Sequence, residues 1–185
     1  MTNTHIHHTT LINKKCFMNI IYNPEKFKAM IHYIISRCQF KDNLDRIVLF
    51  KLLYFSDFNN YEIYEKSISG ETYIRKRMGS IPSHFSSAID ELIDEGKINE
   101  TSKLVINYRK YKYSCLKEPD LSLLSIEELQ VIDDTINRIS YFLSKEISEY
   151  LHGDISWRLA SEGEPLNYES VFYRDPEYSV RDYDD

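Results

Sequence analysis

The stretch Lys51-Leu-Leu-Tyr-Phe-Ser-Asp-Phe58 decides the fold, because it is apolar enough to be a central core helix. Upstream, Asp42-Asn43 opens this helix, and Leu44, Ile47, Val48, Leu52 and Phe55 share one face. Before that, Asn23-Pro24-Glu25 reads as another helix start: Asn caps, Pro fits the first turn and Glu25 complements the helix dipole. Phe27, Met30, Ile31, Ile34, Ile35 and Cys38 then recur at helical spacing. Downstream, Ser69-Gly70 punctuates, Thr72-Tyr73-Ile74 is a short strand, and Gly79-Ser80-Ile81-Pro82-Ser83 is a loop. Phe85, Ala88, Ile89, Leu92 and Ile93 stripe the next helix, and Gly96 sits where a closing glycine belongs.

Further out, Ile98, Leu104-Val105-Ile106, Tyr108, Tyr111 and Tyr113 predict a β-hairpin. Glu118-Pro119-Asp120 is a linker, and Ser125-Ile-Glu-Glu128 has the form of a capping box. The helix it starts carries Ile126, Leu129, Ile132, Ile136, Ile139 and Leu143 at spacings of three and four. Ser144 caps a further helix that Gly153-Asp154 breaks, and a short turn follows around Trp157 and Ala160. The expected fold is therefore mainly α with a small β-hairpin (α+β). It is a compact helical domain with a winged-helix-like central helix–helix–hairpin and a C-terminal helical region. Residues 1–21 read as a flexible N-terminal tail, 22–175 as a single domain and 176–185 as a frayed acidic C-terminal tail.

A chain of 185 residues, 42% hydrophobic and 28% charged, has the composition of a folded globular protein rather than a disordered one. Its 15 Tyr and 9 Phe suit a protein interface, although an AT-rich coding sequence also enriches Tyr. Charge is unevenly placed. Residues 1–65 hold 8 basic and 6 acidic side chains, residues 66–116 hold 9 and 6, and residues 117–185 hold 6 and 17. The middle tolerates a polyanion and the last third repels one. Cys16, Cys38 and Cys115 are widely spaced with no CxxC, which points to reduced thiols in the cytoplasm rather than a disulfide framework. No apolar run reaches the roughly 20 residues of a membrane span, and the N-terminus lacks the features of a signal peptide. His5, His7 and His8 belong to the tail, and Met18 begins a more structured stretch.

Motifs for chemistry are not found. His32, His84 and His152 stand apart with no metal-ligand spacing, so each reads as a structural histidine, and no metal or cofactor is expected. There is no GxSxG, GxGxxG or P-loop, and acids such as Asp133-Asp134 diverge on a helix, so the expectation is a protein that is not an enzyme. The partner-binding candidates are Tyr73, Arg75, Arg77, Met78, Ile81 and Pro82 in the segment after Gly70, with His152 and Trp157. Trp157, the sole tryptophan, either anchors the C-terminal helices or serves as a binding hot spot. Arg75-Lys-Arg-Met-Gly-Ser-Ile-Pro82 is either a solvated connection or a partner-facing loop.

Lys51-Leu-Leu-Tyr-Phe resembles the Lys-Leu-x-Tyr-Phe core helix of the Panacea (SocA-like) antitoxin family. Gly70-Glu-Thr-Tyr-Ile-Arg-Lys-Arg-Met-Gly-Ser-Ile-Pro82 is similar to that family's glycine-to-Gly-Pro-Val-Pro stretch, with Gly79-Ser80 replacing the usual Gly-Pro pair. Leu92-Ile-Asp-Glu-Gly-Lys-Ile98, Glu118-Pro-Asp-Leu-Ser-Leu-Leu-Ser125 and Ser144-Lys-Glu-Ile-Ser-Glu-Tyr-Leu-His152 with Trp157 extend the resemblance across 22–172, although His152-Gly-Asp-Ile-Ser replaces the usual Glu-rich run before the tryptophan. The resemblance implies a cytoplasmic, phage-associated type of antitoxin that binds a cognate toxin protein encoded by the adjacent gene. In a SocA-like member the antitoxin acts as an adaptor that delivers its toxin to a AAA+ protease. Some relatives carry an added DNA-binding domain, for which the roughly 20 residues before the core are too few. The competing expectation is a winged-helix-like nucleic-acid-binding regulator of phage or prophage origin. It would use 83–95 as recognition helix and Lys103, Arg109, Lys110 and Lys112 on the wing. Asp90, Glu91, Asp94 and Glu95 on that helix face phosphates badly.

Overall fold

The structure, a computed structural model, describes residues 20–181. The expected leader with His5, His7, His8, Cys16 and Met18, and the last four residues of the acidic tail, lie outside the described residues. Helix α1 (Pro24–Cys38) starts as its sequence dictates, with the Asn23 side chain accepting from the Lys26 amide at 3.0 Å. Helix α2 (Arg46–Tyr64) starts later than Asp42-Asn43: Asp45 is the cap and accepts from the Val48 amide at 3.0 Å. Asn43 is used elsewhere. Its amide donates to the Ser140 and Phe142 carbonyls, both at 2.8 Å, and ties this turn to the far end of the chain.

Every residue of α2 from Lys51 to Glu62 is buried. A helix apolar on all sides has no solvent face to offer, so neighbours cover it on every side. Those neighbours are α1, the second short strand, the two long C-terminal helices and a closing 3-10 turn (Tyr168–Tyr173). The Tyr168 ring stacks on Phe58 with centroids 4.1 Å apart.

Two hairpins are present where the sequence predicts one. Strands β1 (Tyr73–Lys76) and β2 (Gly79–Pro82) pair antiparallel, Tyr73 opposite Pro82 and Lys76 opposite Gly79. The expected loop at 79–83 is thus mostly strand, because Gly79 takes a positive φ of 140° that lets the chain reverse tightly. Helix α3 (Phe85–Asp94) closes on Gly96, whose φ is 64°, with the Lys97 amide donating to the Leu92 carbonyl at 2.9 Å. Strands β3 (Ile98–Val105) and β4 (Tyr108–Cys115) form the expected hairpin. The helix–helix–hairpin order is therefore α2, α3 and β3–β4, with the β1–β2 hairpin inserted between the two helices.

Helix α4 (Ile126–Ile139) has both halves of its capping box. Ser125 accepts from the Glu128 amide at 3.2 Å, and the Glu128 carboxylate accepts from the Ser125 amide at 2.9 Å. Helix α5 (Ser144–Gly153) is not capped by Ser144, which is its first helical residue and donates its hydroxyl to Asp45 at 2.6 Å. A short helix α6 (Ile155–Leu159) carries Trp157. Residues 176–181 of the expected tail run along α2: Ser179 donates to Glu62 at 2.6 Å, and the Tyr178 and Tyr150 rings lie 4.8 Å apart. No helix among the described residues is long and apolar enough to cross a membrane.

Candidate functional site

The β1–β2 hairpin is held from both sides, and that fixes where its side chains go. The Tyr73 hydroxyl donates to the buried Asp57 carboxylate at 2.7 Å, and Asp57 also accepts from the Ser69 amide at 2.8 Å and hydroxyl at 2.5 Å. Burial pushes the Asp57 carboxyl up to about 6. On the outer edge of β1, the Arg75 amide donates to the Glu164 carbonyl and the Leu166 amide to the Tyr73 carbonyl, at 2.9 and 2.8 Å. The chain after α6 thus pairs with β1 as a third extended segment. At the base, Glu71 accepts from the Thr72 amide at 2.6 Å and lies 2.9 Å from the His84 ring nitrogen Nδ1.

Tyr73 and Pro82, expected at the partner face, do not reach the surface. Tyr73 is wholly buried and Pro82 is buried opposite it, so both position the hairpin rather than present it. Arg77 is exposed in the turn, Met78 is 66% exposed and Ile81 40% exposed. Arg75, His152 and Trp157 are brought together although 77 residues separate the first two in the chain. The Arg75 guanidinium lies 4.0 Å over the Trp157 ring, and it also donates to the Ala160 carbonyl. His152 stacks on the other partner of this trio, its ring centroid 4.1 Å from that of Trp157 at an angle of 25°.

Two members of this site were not legible in the sequence. Lys51, in the middle of the core helix, is 3% exposed and runs under the hairpin turn. Its ammonium reaches only the Met78 carbonyl, at a long 3.4 Å, and among the described residues it has no carboxylate at ion-pairing distance. A side chain at Gly79 would stand 2.3 Å from the Lys51 Nζ, so the glycine leaves room for the lysine. Burial pushes the Lys51 ammonium down to about 8. Ser80 faces the same side of the hairpin as its cross-strand partner Arg75, fully buried. Burial, with Lys51 and Arg75 nearby, also lowers the His152 imidazole from its ordinary value. The signal in the sequence was a lysine inside an apolar run, where such a residue is rare unless paired.

Three buried polar atoms here have no hydrogen-bond partner: Ser80 Oγ, His152 Nε2 and Trp157 Nε1. Three more such atoms among the described residues, Ser56 Oγ, Asn60 Oδ1 and Ser140 Oγ, lie outside this neighbourhood. By contrast, the nearby buried charges are satisfied. Arg174 bridges Glu62 at 2.8 Å and Asp154 at 2.7 Å, both wholly buried, and pins the closing turn to α2 and α6. Among the described residues no group of three or more His, Cys, Asp or Glu side chains could hold a metal ion.

The wing of the competing expectation is basic as anticipated, with Lys103 opposite Lys110. Its tip is also apolar: Leu104 is 66% exposed and Ile106 88% exposed. Two of the acids at this helix are paired with a cation of this chain, since the Lys28 ammonium lies 2.8 Å from Glu91 and 3.3 Å from Glu95, just past the end of α3.

A family model described as "Antitoxin SocA-like, Panacea domain" matches residues 49–158, more than half of the chain and all of the site from Lys51 to Trp157. No curated protein and no solved structure matches the chain.

Proposed function

The chain belongs to the SocA-like Panacea antitoxin family, and from that premise we propose that it is a catalytically silent cytoplasmic antitoxin. It neutralises a cognate toxin, encoded by the adjacent gene, by direct protein–protein binding through the β1–β2 hairpin and the α5–α6 turn. The observation that carries this is the half-buried Arg75–Trp157–His152 stack, which ties the β1–β2 hairpin to the α5–α6 turn, together with the exposure of Met78 and Ile81 on that hairpin. Aromatic and arginine side chains ringed by apolar contacts are the usual anchors of a protein interface. Delivery of the bound toxin to a AAA+ protease is compatible with this face, because binding by α5–α6 leaves the β3–β4 hairpin free for a second contact.

The nucleic-acid regulator has the basic β3–β4 ribbon in its favour, but α3 presents Asp90, Glu91 and Asp94 where a recognition helix needs neutral or basic residues. Co-expression of this chain with the product of the adjacent gene, scored by growth and by affinity capture, separates the two. Arg109, Lys110 and Lys112 reversed to Glu together should leave rescue and capture intact. Loss of rescue in that variant, with DNA binding by the unaltered chain, would transfer the function to the regulator.

A further inference from the structure

Beneath the hairpin turn, Lys51 supplies a buried ammonium whose one contact is the Met78 carbonyl at 3.4 Å. His152 is close enough to feel the Lys51 charge, and it, its stacking partner Trp157 and Ser80, next to Gly79, each carry an unpartnered polar atom, with the Arg75 guanidinium above the Trp157 ring. Continuity of the group follows from shared neighbours. Lys51 lies against Gly79, Gly79 approaches Leu151, His152 follows Leu151, and Ser80 faces Arg75 across the hairpin. Two positive charges, an indole N–H and a hydroxyl thus belong to one neighbourhood, and among the described residues no carboxylate lies at ion-pairing distance from Lys51; its nearest charge influence is Asp45. Donors that are desolvated and left unpaired are costly to a folded chain, and a ligand that accepts from them recovers that cost.

We propose that this recess is an oxyanion seat: a carboxylate or phosphate replaces the Met78 carbonyl on Lys51 and accepts from Ser80, His152, Trp157 and Arg75. In the complex with a toxin the oxyanion is the carboxylate of an acidic side chain that the toxin inserts under the hairpin turn. That source rests on the antitoxin reading. The seat itself does not.

Trp157 is the only tryptophan, so its fluorescence reports on this recess alone. The full chain is titrated with inorganic phosphate and, separately, with acetate, against chloride at constant ionic strength. A saturable change in Trp157 emission is expected with both oxyanions, weakened at least tenfold in Lys51→Met and severalfold in Ser80→Ala. Circular dichroism and a thermal melt confirm that each variant is folded, and Ser80→Ala decides alone should Lys51→Met not fold. Emission that does not saturate, or saturates equally in a folded variant, overturns the seat. A second arm adds phosphate to the complex with the adjacent gene's product. Competition supports a toxin carboxylate as occupant. A complex that forms while phosphate leaves Trp157 unmoved sinks the seat and leaves the antitoxin reading standing. A saturable phosphate response with no complex sinks that reading and leaves a seat for a free oxyanion.

Discussion

Lys51 stands where a leucine or methionine would pack without penalty, and its pKa near 8 measures the penalty it carries. For a lysine whose folded pKa lies below 10.5, the folded state binds fewer protons than the unfolded state between about 8 and 10.5. The Lys51 contribution to stability is therefore expected to rise as pH rises through that window, against an opposite contribution from Cys38 and the buried Tyr54, Tyr73 and Tyr168, whose pKa values burial raises. Lys51→Met should stabilise the chain at pH 7 by on the order of 2 kcal/mol, and that advantage over the original chain should shrink by pH 10. Urea melts of both chains at pH 7 and pH 10 check this. Asp57 has the opposite sign. Its folded pKa near 6 lies above the ordinary 3.8, so the folded state holds a proton that the unfolded state has lost between those values. Stability contributed at this site should fall as pH rises from about 4 to 6, and Asp57→Asn should remove that part of the slope. The difference between the two melting curves across that range reads it directly. Arg174 is a third case: Arg174→Met strands two wholly buried carboxylates, Glu62 and Asp154, and should destabilise by about 3–5 kcal/mol in chemical denaturation.

The elements divide by how local their causes are. Helices α1 and α4 were legible because caps and stripes are set within a few residues: Asn23 and the Ser125–Glu128 box do in the structure what their spacing implies. The α2 start moved to Asp45 because Asn43 is taken by carbonyls about 100 residues away, a contact that no local pattern records. Strand β2 was hidden for a similar reason. Gly-Ser-Ile-Pro has no alternating pattern, and it becomes a strand only because β1 and the segment at 163–166 supply its sheet. Residues 176–181 belong to a tail that is acidic as a whole yet hydrogen-bond to Glu62, since this part holds one acid and one base and its Ser179 hydroxyl and Val180 amide face that carboxylate. At the β3–β4 turn, Ile106 holds a φ of 53° that β-branched side chains rarely adopt, in a two-residue turn that favours Asn or Gly. Ile106→Asn is expected to stabilise the chain by roughly 1 kcal/mol, read as a higher melting temperature. No gain would mean that Ile106 makes a contact its exposure does not suggest.

At the scale of the whole molecule, Arg174 ties the closing turn to the buried α2 core, and the β1–β2 hairpin covers the buried Lys51 of that core. Of the interface candidates named from the sequence, Arg75, Arg77, Met78, Ile81, His152 and Trp157 are exposed or half-buried in the fold; the sequence could not bring Lys51 and Ser80 beside them, because their proximity depends on the hairpin folding over α2. It also included Tyr73 and Pro82, which the fold turns inward. The most direct measurement of the account is affinity capture, with growth scoring, of the adjacent gene's product by this chain and by a Met78→Glu, Ile81→Glu double variant. Both positions are exposed, so the variant should fold with an unchanged melting temperature. A stable complex and growth rescue are expected with the original chain, and at least a tenfold loss of capture with no rescue in the folded variant. Full rescue by the variant, or rescue by the original chain without any complex, would contradict it.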